Sequence, residues 1–186
     1  MYPTGRAGFL LTLLALCASI AVVGPATASE IDERIDESLT LCTTADQLPA
    51  NERMPVLARG LDLADAALAL DDRSARAHFA VVCNLGKATA LAGTGFGSLG
   101  AVYRLRREID ATLALAPNHA EALAAKGALL MKLPRWLGGD RREAERWLRR
   151  ALAIDPSNGT AQAYLEELTP PPGFLAPAAA EAAVTR

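Results

Sequence analysis

The chain has 186 residues, with 19 Lys and Arg against 21 Asp and Glu. A net charge of −2 argues against general nucleic-acid binding, which needs a basic face. Aromatics are only 5% of the residues, β-branched residues are few and period-2 alternation is absent, so strands are not expected and an all-α chain is.

Residues 1–28 read as a secretory signal. Arg6 and the amino terminus make a positive start, Ala7–Val23 is nearly all apolar, Pro25 breaks the run, and Ala26-Thr27-Ala28 is a small-x-small cleavage site. An uncleaved N-terminal helix tethered in the membrane is the alternative, since about 17 apolar residues sit at the short limit of a span. Cys17 lies mid-run after Leu16, which does not suit a lipoprotein cysteine. Cleavage after Ala28 removes Arg6 and no acid, leaving 18 Lys and Arg against 21 Asp and Glu, a net charge of −3. About 158 residues remain, with no stable membrane span expected among them; the number suits one domain.

Apolar residues at helical spacing predict the next elements. Ile31, Ile35, Leu39 and Cys42 mark a helix over Ser29–Thr44, broken at Leu48-Pro49. Leu57, Leu61, Ala64, Ala67 and Leu68 mark a second over Asn51–Leu70. Ala77, Ala80, Val81 and Leu85 mark a third over Ser74–Leu91. A glycine-rich hinge, Gly93–Gly100, leads to a fourth helix over Leu99–Leu115, with Val102, Leu105, Ile109 and Leu113 inward. Pro117 closes it.

Residues 117–156 form the clearest unit. Leu123, Gly127, Leu130 and Met131 stripe a helix over Ala120–Leu133, which Pro134 ends. Gly138-Gly139 supply a turn, and Asp140 with Glu143 reads as a capping box for a helix over Asp140–Ile154. Ala144, Trp147, Leu148, Ala151 and Leu152 face inward there, with Arg142, Arg146, Arg149 and Arg150 opposite. Asp155-Pro156 stops it. Asn158–Leu168 reads as a short amphipathic helix covering the last apolar face. Residues 169–186, with three consecutive Pro and an Ala-rich end, read as a disordered tail.

Ala144, Leu148, Ala151-Leu152 and Pro156, with Leu123, Gly127 and Leu130 before them, resemble the tetratricopeptide repeat. The resemblance implies a right-handed superhelical stack over residues 29–168, of about three helix pairs and a C-terminal capping helix. The pairs close near Asp72, Pro117 and Pro156, at intervals of 45 and 39 residues against the usual 34, so extra residues fall in the turns within pairs. Phe96 and Trp136 sit in those longer turns. Trp136 reads as the apolar plug of its turn or as a contact for something outside it.

Further implications follow from the resemblance. In such proteins the first helix of each pair lines a concave face where peptides or partner helices lie. That puts Arg76, Phe79, Cys83 and Lys87 there in pair two, and Glu121, Ala124, Ala128 and Lys132 in pair three. Lys87 and Lys132 are equivalent; in some members a Lys there holds a peptide's terminal carboxylate. The alternative is two solvent-facing lysines near helix ends. The expected partner is another protein or a peptide, with no nucleic acid; oligomeric state stays open. Residues 85–156, with their Lys before a widened turn, Pro-Asn-His and Pro…Gly-Gly-Asp, also resemble bacterial exported repeat proteins, including the T-components of TRAP-type transporters. That implies binding of a substrate-binding protein or a small apolar ligand.

Cys42 and Cys83 remain after cleavage, an even pair suited to an oxidising compartment. They lie on neighbouring first helices. A bridge closing about 40 residues is worth about 3–4 kcal/mol. The alternative is two buried thiols, because equivalent sites on adjacent helices stand about 8–10 Å apart. Catalytic chemistry is not expected. Gly95-Phe-Gly97-Ser-Leu-Gly100 has the spacing of a dinucleotide loop but follows a helix rather than a strand, so a widened turn is expected and no cofactor. His78 and His119 have no metal-ligand spacing, His119 suiting a cap or the surface. The Arg stripe of the 140–154 helix reads as a solvated face, or as a dock for acidic groups.

Overall fold

A computed structural model describes residues 27–93 and 99–168. Most of the expected signal, Phe96 with most of the glycine-rich hinge, and the expected tail lie outside the described residues.

The described residues contain seven α-helices and no strand: α1 Ala28–Thr44, α2 Ala50–Leu68, α3 Ala75–Ala92, α4 Leu99–Leu115, α5 Ala120–Lys132, α6 Arg141–Ile154 and α7 Gly159–Leu168. Every expected helix is present, with ends within two residues. Caps account for the small differences. Ser74 accepts from the Ala77 N–H and stands outside α3, and Asn158 accepts from the Ala161 N–H ahead of α7. The capping box lies at Thr27 and Glu30, so α1 begins within the stretch expected as signal. Asp140 caps α6 through the N–H groups of Arg142 and Glu143, but its own N–H donates to Leu130 O, so the reciprocal half of the expected box is not made.

Consecutive helices pair as α1/α2, α3/α4 and α5/α6, and the first helices stand side by side, α1 on α3, α3 lightly on α5, α5 on α7. One apolar core runs through α1–α4, around Ile35, Ala64, Val81, Leu85, Leu105 and Ile109. A second joins α5–α7 around Leu123, Ala124, Leu148, Ala151 and Ala161. Tyr164, Leu165 and Leu168 of α7 lie against this second core, so the last helix covers a face that would otherwise be wet. Burying one leucine such as Leu148 is worth about 1.5–3 kcal/mol.

Close approach within the last pair depends on Gly127. A Cβ there would stand 2.6 Å from Leu148 Cγ and 3.1 Å from Ala144 O. Gly86 differs: its Cβ would meet only Leu105 Cδ1, at 3.8 Å. We therefore expect Gly127→Ala to destabilise by about 1–3 kcal/mol through overpacking. Gly86→Ala should instead stabilise by up to about 1 kcal/mol through helix propensity. Urea unfolding of the two variants distinguishes them by opposite shifts of the midpoint.

Candidate functional site

The face of the first helices is where the expected binding residues fall, and in pair two most of them already have partners. Four side chains of α3, at its first turn and around Cys83–Lys87, are tied to α1. Arg76 pairs with Asp32 and Asp36, at 3.6 and 2.5 Å. The buried Asn84 donates to Ser38 O and Oγ, at 3.2 and 3.0 Å. Cys83 Sγ is bonded to Cys42 Sγ, with the Cα atoms 6.0 Å apart. Lys87 Nζ donates to Cys42 O at 2.9 Å and to Asp46. Small groups meet where α1, α2 and α3 touch, at Ser38, Gly60 and Asn84, and one turn further on the Cα atoms of Cys42 and Cys83 are within bridging distance.

At the α3–α5 junction the face changes character. Phe79 stacks on His119, ring centroids 4.4 Å apart, and His119 caps α5 by accepting from the Ala122 N–H. Little else joins the two helices. Along α5, Glu121 and Lys132 are exposed and Ala128 is half-buried. Lys132 reaches α7, pairing with Glu167 at 3.3 Å and standing 5.1 Å from the Tyr164 ring centre. Ala124 corrects an expectation. It is fully buried in the second core, because α5 turns that edge toward α6 and α7, so it offers no surface.

The turn between α5 and α6 is built, not loose. Pro134 O accepts from the N–H groups of Leu137 and Gly139, and Arg135 O from that of Gly138. Arg135–Leu137 forms one 3-10 turn, and Gly138 follows at φ +85°, a conformation that suits glycine. Arg106 of α4 clips the turn by donating to Leu137 O at 2.9 Å. This hydrogen bonding leaves Trp136 pointing outward, 77% exposed. It is therefore not the plug of its turn.

Beneath the turn lies a cavity of about 250 Å³ between α4, α5 and the start of α6. Its floor is Ile109, Leu129 and Leu130, and its charged walls are Arg106, Asp110, Lys126 and Glu143. Lys126 bonds Asp110 at 2.9 Å and stands 4.4 Å above the Trp147 ring centre, while Trp147 Nε1 donates to Glu143 at 3.2 Å.

A second polar cluster pins α3 to α4. Glu108, 3% exposed, receives His78 Nδ1 at 2.6 Å and Arg107 at 2.7 Å, while His78 Nε2 meets Asp72 O. Burial alone would raise the Glu108 carboxyl; hydrogen bonds from Arg107 and His78, with their charges, outweigh it and hold the group below the usual glutamate range. An apolar-only reading of α4 passes over Glu108, since nothing adjacent in sequence announces its partner thirty positions earlier. No group of three or more His, Cys, Asp or Glu among the described residues is placed to hold a metal.

No family model matches the chain, and no curated protein sequence does. Solved structures similar to it include the first TPR of Spaghetti (RPAP3) bound to the HSP90 peptide SRMEEVD, at 14% identity and TM-score 0.47, covering 72% of this chain and 90% of that one. The Arabidopsis OM64 TPR domain is similar at 14% identity and TM-score 0.48, covering 73% and 96%.

Two outcomes follow from these clusters. Replacing Cys42 and Cys83 by Ala should lower stability by about 3–4 kcal/mol, and intact protein should take up alkylating agent at these positions only after reduction, as read by mass spectrometry. For Glu108, a carboxyl lowered in the folded state contributes stability that is present above the ordinary glutamate range and lost as pH falls through the folded value. Melting temperature should therefore drop on acidification, and Glu108→Gln should flatten that acid limb.

Proposed function

We propose that the chain is an exported, non-catalytic protein-interaction module that receives a peptide or partner helix along the face of its first helices. The observation that carries this reading is the lightly packed α3–α5 junction, with Phe79 on α3 beside it and Ala128 and Lys132 one turn apart further along α5. A narrow side chain at Ala128 lets a partner backbone approach, and the Phe79 ring supplies apolar area. Lys132 adds a cation held by Glu167 and Tyr164 rather than buried. Arg76 and Lys87 serve this reading indirectly, because their pairs with α1 stiffen the neighbouring wall.

Export to the periplasm or the exterior is part of the proposal. The Cys42–Cys83 bond supports it, since such bonds persist in oxidising compartments. No helix of the described residues is long and apolar enough to cross a membrane.

A second reading, as a ligand- or partner-binding accessory of a TRAP-type solute transport system, is supported by the cavity beneath the α5–α6 turn.

Ala128→Arg combined with Lys132→Glu tests the first reading. Both positions are at least partly exposed and the Lys132–Glu167 pair is a surface one, so the helical fold should survive at a cost of about 1 kcal/mol or less from the lost pair. Partners captured from periplasmic extract by the parent chain should be lost at least tenfold by the double variant. Undiminished capture of the same partners rules the face out.

A further inference from the structure

The cavity beneath the α5–α6 turn contains charges that the fold itself does not pair. Four ionisable side chains line it. Two satisfy each other: Lys126 and Asp110, at 2.9 Å. Arg106 gives one N–H to the Leu137 carbonyl, and no carboxylate of the described residues lies within ion-pair distance of it. Glu143 accepts from Trp147 Nε1 through one oxygen, with no Lys or Arg of the described residues in ion-pair distance. A capping box would have used Glu143 on the Asp140 N–H; that N–H goes to Leu130 O instead, which frees the carboxylate for the cavity. One guanidinium from α4 and one carboxylate from α6 thus line the same half-open pocket as Ile109, Leu129 and Leu130.

We propose that this cavity binds a free α-amino acid with an aliphatic side chain. The ligand carboxylate takes the planar donor fork of Arg106, its ammonium takes the open oxygen of Glu143, and its side chain lies on the apolar floor. Size selects the same class. About 250 Å³ is below the roughly 300–1,000 Å³ of sites for drug-sized molecules and suits one small solute. A peptide end brings only one of the two charges, so it leaves the other unpaired in a partly desolvated site. A fatty acid or other simple carboxylate fails in the same way at Glu143. None of Phe79, Ala128 and Lys132 lines it, so this proposal and the peptide-face reading are tested by separate variants, while it gives a ligand class to the second reading above.

Trp147 makes the site readable, because its ring contacts Lys126 and its Nε1 bonds Glu143. Trp136 and Trp147 are the only two tryptophans, so Trp136→Phe in the full chain leaves one reporter. Leucine, leucinamide and 4-methylpentanoate are titrated separately against this protein, with calorimetry as a second readout. We expect saturable binding of leucine with a change in Trp147 emission, and at least tenfold weaker binding of each half-ligand. Arg106→Gln should erase the advantage of leucine over leucinamide, and Glu143→Gln its advantage over 4-methylpentanoate. Both replacements keep a polar side chain, and circular dichroism of each variant checks the fold; should either unfold, the half-ligand comparison on the parent decides. Absence of saturable leucine binding up to about 10 mM overturns the proposal. So does equal binding of leucine and 4-methylpentanoate, or leucine affinity unchanged in folded Arg106→Gln and Glu143→Gln.

Discussion

The first half of the molecule depends on a buried polar contact among Ser38, Gly60 and Asn84. Ser38 Oγ donates to Gly60 O at 2.6 Å, and Asn84 Nδ2 donates to Ser38 O, Ser38 Oγ and Ala80 O. Three helices therefore meet through backbone and short side chains. Position 60 must be glycine, since a Cβ there would stand 2.2 Å from Asn84 Oδ1. That oxygen has no conventional hydrogen-bond donor. The Gly60 Cα hydrogen occupying the Cβ direction faces it, a weak contact that recovers part of the roughly 1–3 kcal/mol an orphaned acceptor costs. Beside the same crossing, Cys83 is bonded to Cys42 and Lys87 donates to Cys42 O, so α1 and α3 are joined by covalent, polar and ionic ties within a few residues.

The second half solves the same packing problem without polar groups. Gly127 receives Leu148, and α7 closes the apolar face behind them. Between the halves, α5 meets α3 mainly at the tilted Phe79–His119 pair and packs more broadly on α4, with Leu113, Ala125 and Leu129 bridging the two cores. This asymmetry divides the work of the surface. Along α1–α3 Arg59, Arg76 and Lys87 are engaged in tying helices together. Across α3–α5 and beneath the α5–α6 turn, side chains are left with capacity to spare. The glycines of that turn let the backbone close tightly: a Cβ on Gly139 would stand 1.8 Å from Leu133 O, and Trp136 sits on a turn bonded through Pro134 O, Arg135 O and Arg106.

Much of this architecture was legible in the residues. Helical periodicity located all seven helices, and Pro117, Pro134 and Pro156 located their ends, because these signals are local and each costs the backbone several kcal/mol to ignore. Periodicity counts apolar residues only. It therefore passed over Ser38, Asn84, Glu108 and Thr112, all of them buried. Each is tolerated inside because it finds a hydrogen-bond partner, most of them on another helix, and such pairings span from 22 to 46 positions in Ser38, Asn84 and Glu108.

The candidate site shows the boundary most plainly. Residue type and spacing were enough to place Phe79, Lys87, Ala128 and Lys132 on first helices. They were not enough to say that Lys87 is occupied by Asp46, that Ala124 is sealed in the core, or that Trp136 stands outside its turn. Which stretches are helices, where they stop and which stripe is apolar follow from the sequence alone, because they depend on neighbours within about one turn. Which charges are paired within the fold and which have only neutral partners, as Arg106 and Glu143 do among the described residues, is decided only in three dimensions, because charge pairing depends on distances between helices that no local pattern encodes.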